Sequence, residues 1–226
     1  MGVSVVTYGG RTLVDMTDAT ITPEKVLKGY VGYGADGDPV VGTLEVPKYI
    51  ELEYIETSGT QCIDTGFNPN QDTKLEIVYQ TSDTSEATVA GCDEDWCVNA
   101  FCMFVNIAEY GTKSSSVTLY GSSQITATLD GRYLDKNGST AATFTSQTFQ
   151  CPCSITLFAC NRNGDLQEFA TGKIYSCQVY DDGTLVRDFI PCIDIASGEV
   201  GMWELVDDKF YSNAGTGTFG CAIAAE

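Results

Sequence analysis

Hydrophobic and polar residues alternate along much of the chain after residue 48. Ile50, Leu52 and Tyr54 alternate with Glu51 and Glu53. The same period recurs in two later stretches, at Leu75, Ile77 and Tyr79 and at Phe101, Met103, Val105 and Ile107. A period of two places successive side chains on opposite faces of a strand, so these stretches predict strands with one buried face.

Further strands are predicted at intervals of roughly ten residues, and no long helical period occurs. The candidates are residues 117–120, 124–129, 132–135, 154–159, 173–180, 185–190, 201–205 and 209–211. Turn dipeptides separate many of them: Asp130-Gly131, Asn137-Gly138, Asn163-Gly164, Asp182-Gly183 and Ser197-Gly198. Many short strands joined by polar turns predict an all-β fold, a β-sandwich or jelly roll, for residues 48–226.

Residues 1–47 differ from the rest and predict a separate small module. Two short strands flank Tyr8-Gly9-Gly10-Arg11, and a hairpin is predicted around residues 34–37. Between them, Thr22 as N-cap and Pro23 in the first turn predict a short helix that ends at Lys28-Gly29. A segment of this size cannot bury enough surface to be stable alone, so we expect it to dock on another surface.

The charge balance excludes several classes of partner. The 226 residues include 31 acidic and 12 basic side chains, for a net charge of −19. Nucleic acids and anionic membrane surfaces both require basic residues, so neither is expected as a partner. No apolar run is long enough to cross a membrane, and the first residues lack the pattern of a signal peptide. We therefore expect folding in a reducing cytoplasm, with the acidic residues forming a solvated surface or, as the lesser alternative, binding a divalent cation.

Ten cysteines are present, and several lie in apolar strand contexts. Buried free thiols behave as small hydrophobic groups, and we expect that role for most of them. The pair Cys151 and Cys153 is spaced too closely for an ordinary zinc knuckle. Because the chain has no histidine, a structural zinc would need four thiolates. We predict no metal site and no cofactor.

The sequence offers little for catalysis. Without histidine, a Ser/His/Asp or Cys/His nucleophile cannot be built. Glycoside hydrolases on jelly rolls need two carboxylates on one strand face, and no Glu-x-Asp-x-x-Glu run occurs. Glu51 and Glu53 share a face, but we interpret it as the solvated one. No catalytic residue is predicted.

One acidic loop is the candidate binding site. The run Cys92-Asp-Glu-Asp-Trp-Cys97 lies between predicted strands and contains one of the two tryptophans. Trp96 could stack on a sugar while Asp93 and Asp95 bind hydroxyls or calcium, and we place Tyr110 in the same site. The alternative is an exposed loop whose Trp96 caps the core.

Three segments carry a resemblance to a known family. Residues 173–219 and 49–66, the latter reading YIELEYIETSGTQCIDTG, resemble the closing and opening strands of concanavalin A-like (laminin G-type) jelly-roll domains. Such domains occur in tail and head-fibre proteins of bacteriophages and prophages of gut Firmicutes. Cys62 stands where that family more often has Tyr. Residues 18–30 and 34–43 look like a short module that precedes variable C-terminal domains in phage tail, baseplate and fibre proteins.

The resemblance implies a non-enzymatic structural protein of the virion. Residues 1–47 would anchor it to other tail, baseplate or capsid proteins or form a homo-oligomer, and trimers are common among phage fibres. Residues 48–226 would attach to host surface polysaccharide. The protein would be assembled in the bacterial cytoplasm and become extracellular with the particle. Two alternatives remain open: a purely architectural capsid decoration or head-fibre protein, and a polysaccharide-degrading glycoside hydrolase on the same fold.

Overall fold

The computed structural model describes residues 2–223, which form an all-β protein with about 53% of the chain in strands and almost no helix. The chain separates into two compact units, Met1–Lys48 and Tyr49–Glu226. Within the described residues, no helix is long and apolar enough to span a membrane.

The first unit contains two β-hairpins and one helical turn. Its elements are β1 (Val5–Tyr8), β2 (Arg11–Asp15), a 3₁₀ turn (Pro23–Lys25), β3 (Val31–Tyr33) and β4 (Pro39–Val41). The predicted helix is shorter than expected, and the Thr22 side chain forms no capping hydrogen bond. The reason is a competing backbone contact, because the Val26 carbonyl accepts a hydrogen bond from the Leu44 amide at 2.9 Å. The backbone is therefore extended at Val26, and the helix ends there.

The first unit leaves most of its hydrophobic side chains in contact with solvent. None of its strand residues is buried. Fourteen large hydrophobic side chains are exposed: Val3, Val5, Val6, Tyr8, Leu13, Val14, Ile21, Leu27, Tyr30, Val31, Tyr33, Val41, Leu44 and Val46. The hairpins are held by backbone hydrogen bonds and local turns and have no hydrophobic core of their own.

The second unit contains two large sheets. The ten-stranded sheet is formed by β5 (Tyr49–Ser58), β7 (Thr73–Gln80), β12 (Ile125–Asp130), β13 (Tyr133–Lys136), β14 (Ser139–Thr143), β18 (Thr171–Asp181), β19 (Thr184–Asp194), β20 (Val200–Glu204), β21 (Lys209–Tyr211) and β22 (Gly220–Ile223). The eight-stranded sheet is formed by β6 (Ile63–Asp64), β8 (Thr88–Asp93), β9 (Ala100–Phe104), β10 (Ile107–Gly111), β11 (Lys113–Ser116), β15 (Thr156–Leu157), β16 (Cys160–Arg162) and β17 (Asp165–Gln167). Among the strands of these two sheets, pairing is antiparallel except between β16 and β8, which run parallel.

Side chains from both sheets form one hydrophobic core, an arrangement consistent with a β-sandwich. Leu75 and Ile77 reach it from β7, and Phe101 and Met103 reach it from β9. Tyr79 crosses the core, and its ring meets Phe158 edge-on at a centroid distance of 6.2 Å. The buried Tyr79 hydroxyl donates to the Leu119 carbonyl at 2.6 Å, so the core carries this polar atom without penalty.

The alternation and the turn dipeptides are mostly confirmed. β7 alternates buried and half-buried side chains over its whole length. All five dipeptides lie between paired strands, and both residues have positive φ at Asn137-Gly138, Asn163-Gly164 and Asp182-Gly183. Positive φ at both central residues suits the right-handed twist of a hairpin and explains the glycine at the second position. Eight of the ten cysteines are buried free thiols, as expected.

Three strand predictions are wrong in detail. The stretch 101–107 is two strands, because the chain turns at Val105-Asn106. Residues 117–120 form no strand, and residues 154–159 contain only β15. Strand β5 itself is as predicted, but its inward face changes between Leu52 and Ile55, both buried, and Ile50 is exposed although it shares the face of Leu52. An irregular register with β22 at that point shifts the alternation by one residue.

Candidate functional site

The candidate site lies on the face of the eight-stranded sheet that is turned away from the main core. On β10, Ala108 and Tyr110 point into the core, so Glu109 between them points to the opposite face. Its partner across the ladder is Cys102 on β9. Cys102, Phe104 and Cys160 form a second, small hydrophobic cluster on that face. The site is therefore built over an apolar floor.

A buried ion pair crosses this floor. Arg162 on β16 and Asp93 on β8 are neighbours in the parallel register. The Arg162 Nε donates to Asp93 Oδ1 at 2.9 Å, and Nη2 donates to Oδ2 at 3.0 Å. Nη1 donates to the Gln167 Oε1 at 2.9 Å. Asp93 is completely buried and Arg162 is 8% exposed, so both carboxylate oxygens and all three guanidinium nitrogens are used inside the protein.

Trp96 lies above the ion pair on a tight loop. Asp95 and Val98 form an isolated bridge that closes this loop. The Arg162 guanidinium carbon lies 3.7 Å from the centroid of the indole ring, a cation–π contact. Trp96 is nevertheless 67% exposed, so most of its ring surface is in contact with solvent. Arg162 thus holds the indole in place while leaving an aromatic surface open.

A cleft of about 600 Å³ opens beside Trp96. Its lining combines one aromatic surface, two further apolar side chains, one amide and three carboxylates: Glu86, Trp96, Phe104, Asn106, Ile107, Glu109 and Glu168. A volume of this size fits a small ligand or a few sugar units. Hydrophobic surface with a few converging polar groups is the usual composition of a binding site.

Glu109 is the most unusual group in the cleft. It is 9% exposed, and its Oε2 has no hydrogen-bond partner among the described residues. Burial, together with the negative charges of Asp93 and Glu168, raises the pKa of Glu109 to about 7, against the lowering effects of Arg162 and of a hydrogen bond with Cys97. A buried carboxylate without a partner is unfavourable, so this oxygen requires water, a proton or a ligand.

Glu168 and Thr88 each add a buried polar side-chain atom without a hydrogen-bond partner. The Glu168 carbonyl accepts a hydrogen bond from the Thr88 amide at 2.8 Å, which fixes the segment against β8. The Glu168 Oε2 lies 3.7 Å from the Arg162 Nη2, too far for a hydrogen bond. Four buried side-chain polar atoms of residues 2–223 lack a hydrogen-bond partner, and three of them are Thr88 Oγ1, Glu109 Oε2 and Glu168 Oε2. Burial also raises the pKa of Glu168.

The backbone around the cleft is strained. Nine non-glycine residues in the described part of the chain have positive φ. Four of them line the cleft or belong to the Trp96 loop: Glu86, Cys97, Asn99 and Glu168, at φ between 48° and 53°. Such conformations cost free energy and tend to occur where function requires a particular side-chain position.

The structure brings some of the predicted site residues together. Trp96 and Asp93 both contact Arg162, but Asp93 is buried in its ion pair and does not reach the cleft surface. The Asp95 carboxylate accepts a hydrogen bond from the Trp96 amide at 2.9 Å and so shapes the loop.

The placement of Tyr110 in this site is wrong. Tyr110 points into the core between Phe144 and Phe149 and is 3% exposed. Its hydroxyl donates to the Gln71 carbonyl at 2.9 Å. Adjacent residues of a strand face opposite sides of the sheet, so Glu109 faces the cleft and Tyr110 faces the core.

The sequence analysis missed four residues of the site: Glu86, Glu109, Arg162 and Glu168. Glu109 did carry a signal, because it is the single charged residue in the apolar stretch 100–111. Arg162 and Glu168 gave none, since their approach to residue 93 depends on the parallel pairing of β16 with β8.

Other surfaces offer less. A cleft of about 360 Å³ lies at the closing turn around Gly215 and Gly217, where the only charged lining residue is Glu199. Among residues 2–223, no group of three or more His, Cys, Asp or Glu side chains is arranged to hold a metal ion. No family model matches the chain, and neither a curated protein nor a solved structure gives a significant match.

Proposed function

We propose that this protein is a non-enzymatic structural protein of a phage or prophage virion that binds host surface polysaccharide through the Trp96 cleft. Residues 48–226 then form a concanavalin A-like jelly-roll lectin domain, and residues 1–47 attach it to the particle. The observation that carries the binding role is the indole of Trp96, 67% exposed and stacked on Arg162 beside a cleft with three carboxylates.

The chemistry of the cleft suits a sugar ring. A pyranose has an apolar C–H face, which packs on an aromatic ring, and an edge of hydroxyl groups that need acceptors. Glu86, Asn106, Glu109 and Glu168 supply such acceptors around the indole. The ion pair beneath Trp96 reduces the entropy lost on binding, because the ring is already held in place. Display of many copies on one particle would compensate for a weak single site.

The exposed hydrophobic surface of the first unit supports the attachment role. Its fourteen exposed large hydrophobic side chains are the kind of surface that other proteins cover. We propose that tail, baseplate or capsid proteins, or further copies of this chain in a homo-oligomer such as a trimer, cover it. Antibody labelling of purified particles tests the location. Label at the tail tip or on the head supports a virion protein, and particles without label contradict it.

The binding role is tested with the full-length protein on cell walls of gut Firmicutes. We expect wild type to sediment with the walls and Trp96→Ala to lose most of this binding. Tyr133→Ala is the matched control, because Tyr133 is also an exposed aromatic residue that contacts an arginine, Arg132, but it lies on the ten-stranded sheet. Equal retention of wild type and Trp96→Ala would rule out this site, and no retention of the wild type would favour the purely architectural alternative.

A glycoside hydrolase is the second candidate, and one observation favours it. Glu109 has a pKa of about 7, the property of a general acid, and shares the cleft with Glu168 and Glu86. A hydrolase would release reducing ends from wall polysaccharide, and Glu109→Gln would abolish the release. Absence of new reducing ends from walls that bind the protein would leave binding as the function.

A further inference from the structure

On the basis of the proposed carbohydrate binding, we infer that the cleft selects sugars with a free amino group. The ammonium of a de-N-acetylated hexosamine docks on the unpartnered oxygens of Glu109 and Glu168, and its pyranose ring packs on Trp96.

The first reason is an excess of negative charge that the protein leaves unbalanced. Four carboxylates lie in the cleft or directly beneath it, at Glu86, Asp93, Glu109 and Glu168. The basic group among them is Arg162, of which Asp93 takes two nitrogens, while Glu168 forms only a longer ion pair with it at 3.7 Å. Lys113 lies near Cys97 but does not line the cleft. A cationic ligand balances this charge, whereas a neutral ligand leaves it in place.

The second reason is the buried, unpartnered oxygen of Glu109. With 9% exposure, Glu109 has lost most of its hydration, and Oε2 has gained no donor in exchange. An ammonium carries three N–H donors and no acceptor, which suits a cleft with two oxygens that lack a donor, Glu109 Oε2 and Glu168 Oε2. Hydrogen bonds between two charged groups are roughly twice as strong as neutral ones. A hydroxyl would satisfy one oxygen without neutralising it.

The third reason is the position of Trp96. The indole already binds one cation, the Arg162 guanidinium, at 3.7 Å from the ring centroid. The solvent-facing part of the ring borders the same cleft as Glu109 and Glu168. A hexosamine is small enough to reach both features, because the amino group is attached directly to the ring that stacks. Trp96 thus recognises the sugar, and the two carboxylates recognise its amino group.

The test compares two ligands that differ only at the nitrogen: the hexamer of glucosamine and the hexamer of N-acetylglucosamine. Acetylation removes the charge and leaves the stacking face unchanged. By calorimetry with the full-length protein, we expect the amino form to bind about tenfold more tightly than the acetylated form, as one additional charged hydrogen bond provides. Glu109→Gln should abolish this preference while Glu51→Gln, an exposed carboxylate on β5, should retain it.

The outcomes separate this inference from the proposed function. Equal affinity for the two hexamers, or a preference that survives Glu109→Gln, overturns the inference and leaves carbohydrate binding intact. Trp96→Ala should weaken the binding of both hexamers, because both present the same stacking face. Unchanged affinity of this variant for the amino form also overturns the inference, since attraction between a polycation and an acidic protein would then suffice. Binding of neither hexamer overturns the inference, and failure to bind cell walls as well contradicts the proposed function. If Glu109→Gln does not fold, Glu168→Gln provides the same comparison at the second oxygen.

Discussion

Arg162 and Asp93 are partners in the parallel ladder between β16 and β8, and they form a two-point ion pair with N–O distances of 2.9 and 3.0 Å. This pair connects the fold with the candidate site. It joins the only two strands of the described residues that run parallel, and its guanidinium supports the Trp96 ring. Removing it should therefore affect both stability and binding.

Asp93→Asn should lower the free energy of unfolding by about 3–5 kcal/mol, because it removes the hydrogen-bonded counter-charge of the buried Arg162 guanidinium and leaves only Glu168, at 3.7 Å. Denaturation by urea measures the loss. Asp207→Asn is the matched control: Asp207 pairs with Arg187 at 3.3 Å but is 58% exposed, so its loss should cost less than about 1 kcal/mol. Similar small losses for the two variants would show that the Asp93 pair contributes nothing beyond a surface ion pair.

Trp96→Ala should leave the fold intact while removing the binding surface. Trp96 is 67% exposed, so its loss should lower the free energy of unfolding by no more than about 1 kcal/mol, the usual contribution of a cation–π contact at an exposed site. Phe189→Ala is the contrasting variant, because Phe189 is fully buried and packs edge-on against Tyr211 at 5.1 Å. Phe189→Ala should lower the free energy of unfolding by about 3–5 kcal/mol. Marked destabilisation by Trp96→Ala would support the alternative in which Trp96 caps the structure.

Gly172 is required by a close approach of two strands. Its φ is +140°, and a Cβ at this position would lie 2.0 Å from the Gln80 carbonyl oxygen. The clash occurs beside the first pair of the β18–β7 ladder, Lys173 with Gln80, and Gly172 is itself paired with Thr57 of β5, so neither backbone can move without disturbing a ladder. Gly172→Ala should therefore destabilise the domain by about 3 kcal/mol or more. Gly121→Ala, whose Cβ would meet only Ile125 at 3.8 Å, should be tolerated, and thermal unfolding compares the two.

The strands could be predicted from sequence where they depend on local chemistry. The alternation in β7 and the Asn-Gly and Asp-Gly turns are set by neighbouring residues, and they were predicted correctly. The site depends on contacts between residues far apart in the chain. Glu109, Arg162 and Glu168 converge because β16 pairs with β8 and the Glu168 backbone binds Thr88, and no local pattern encodes those pairings.

The stability of the protein should depend on pH through Glu109. Burial raises the pKa of Glu109 from 4.5 to about 7, so its protonated form is favoured in the folded state. A raised pKa stabilises the fold below about pH 4.5, and this contribution is lost as the pH rises to about 7. Glu109→Gln mimics the protonated form, so the melting temperature of the variant relative to wild type should be higher at pH 8 than at pH 5. Glu51→Gln should show no such change, since Glu51 is exposed.

Binding of an amino sugar should release protons from wild type at pH 7. With a pKa of about 7, Glu109 is about half protonated at that pH, and the cation binds its ionised form. Each binding event should therefore expel about half a proton from Glu109. Calorimetry in two buffers of different ionisation enthalpy measures the release.

The ligand amine can itself take up protons on binding, and Glu109→Gln isolates that contribution. The difference in proton count between wild type and this variant should be about half a proton at pH 7 and should fall towards zero at pH 9, where Glu109 is already ionised. A difference of zero at pH 7 would mean that the amino group does not meet the Glu109 carboxylate. The preference for the amino form, if present, would then have to arise elsewhere in the cleft.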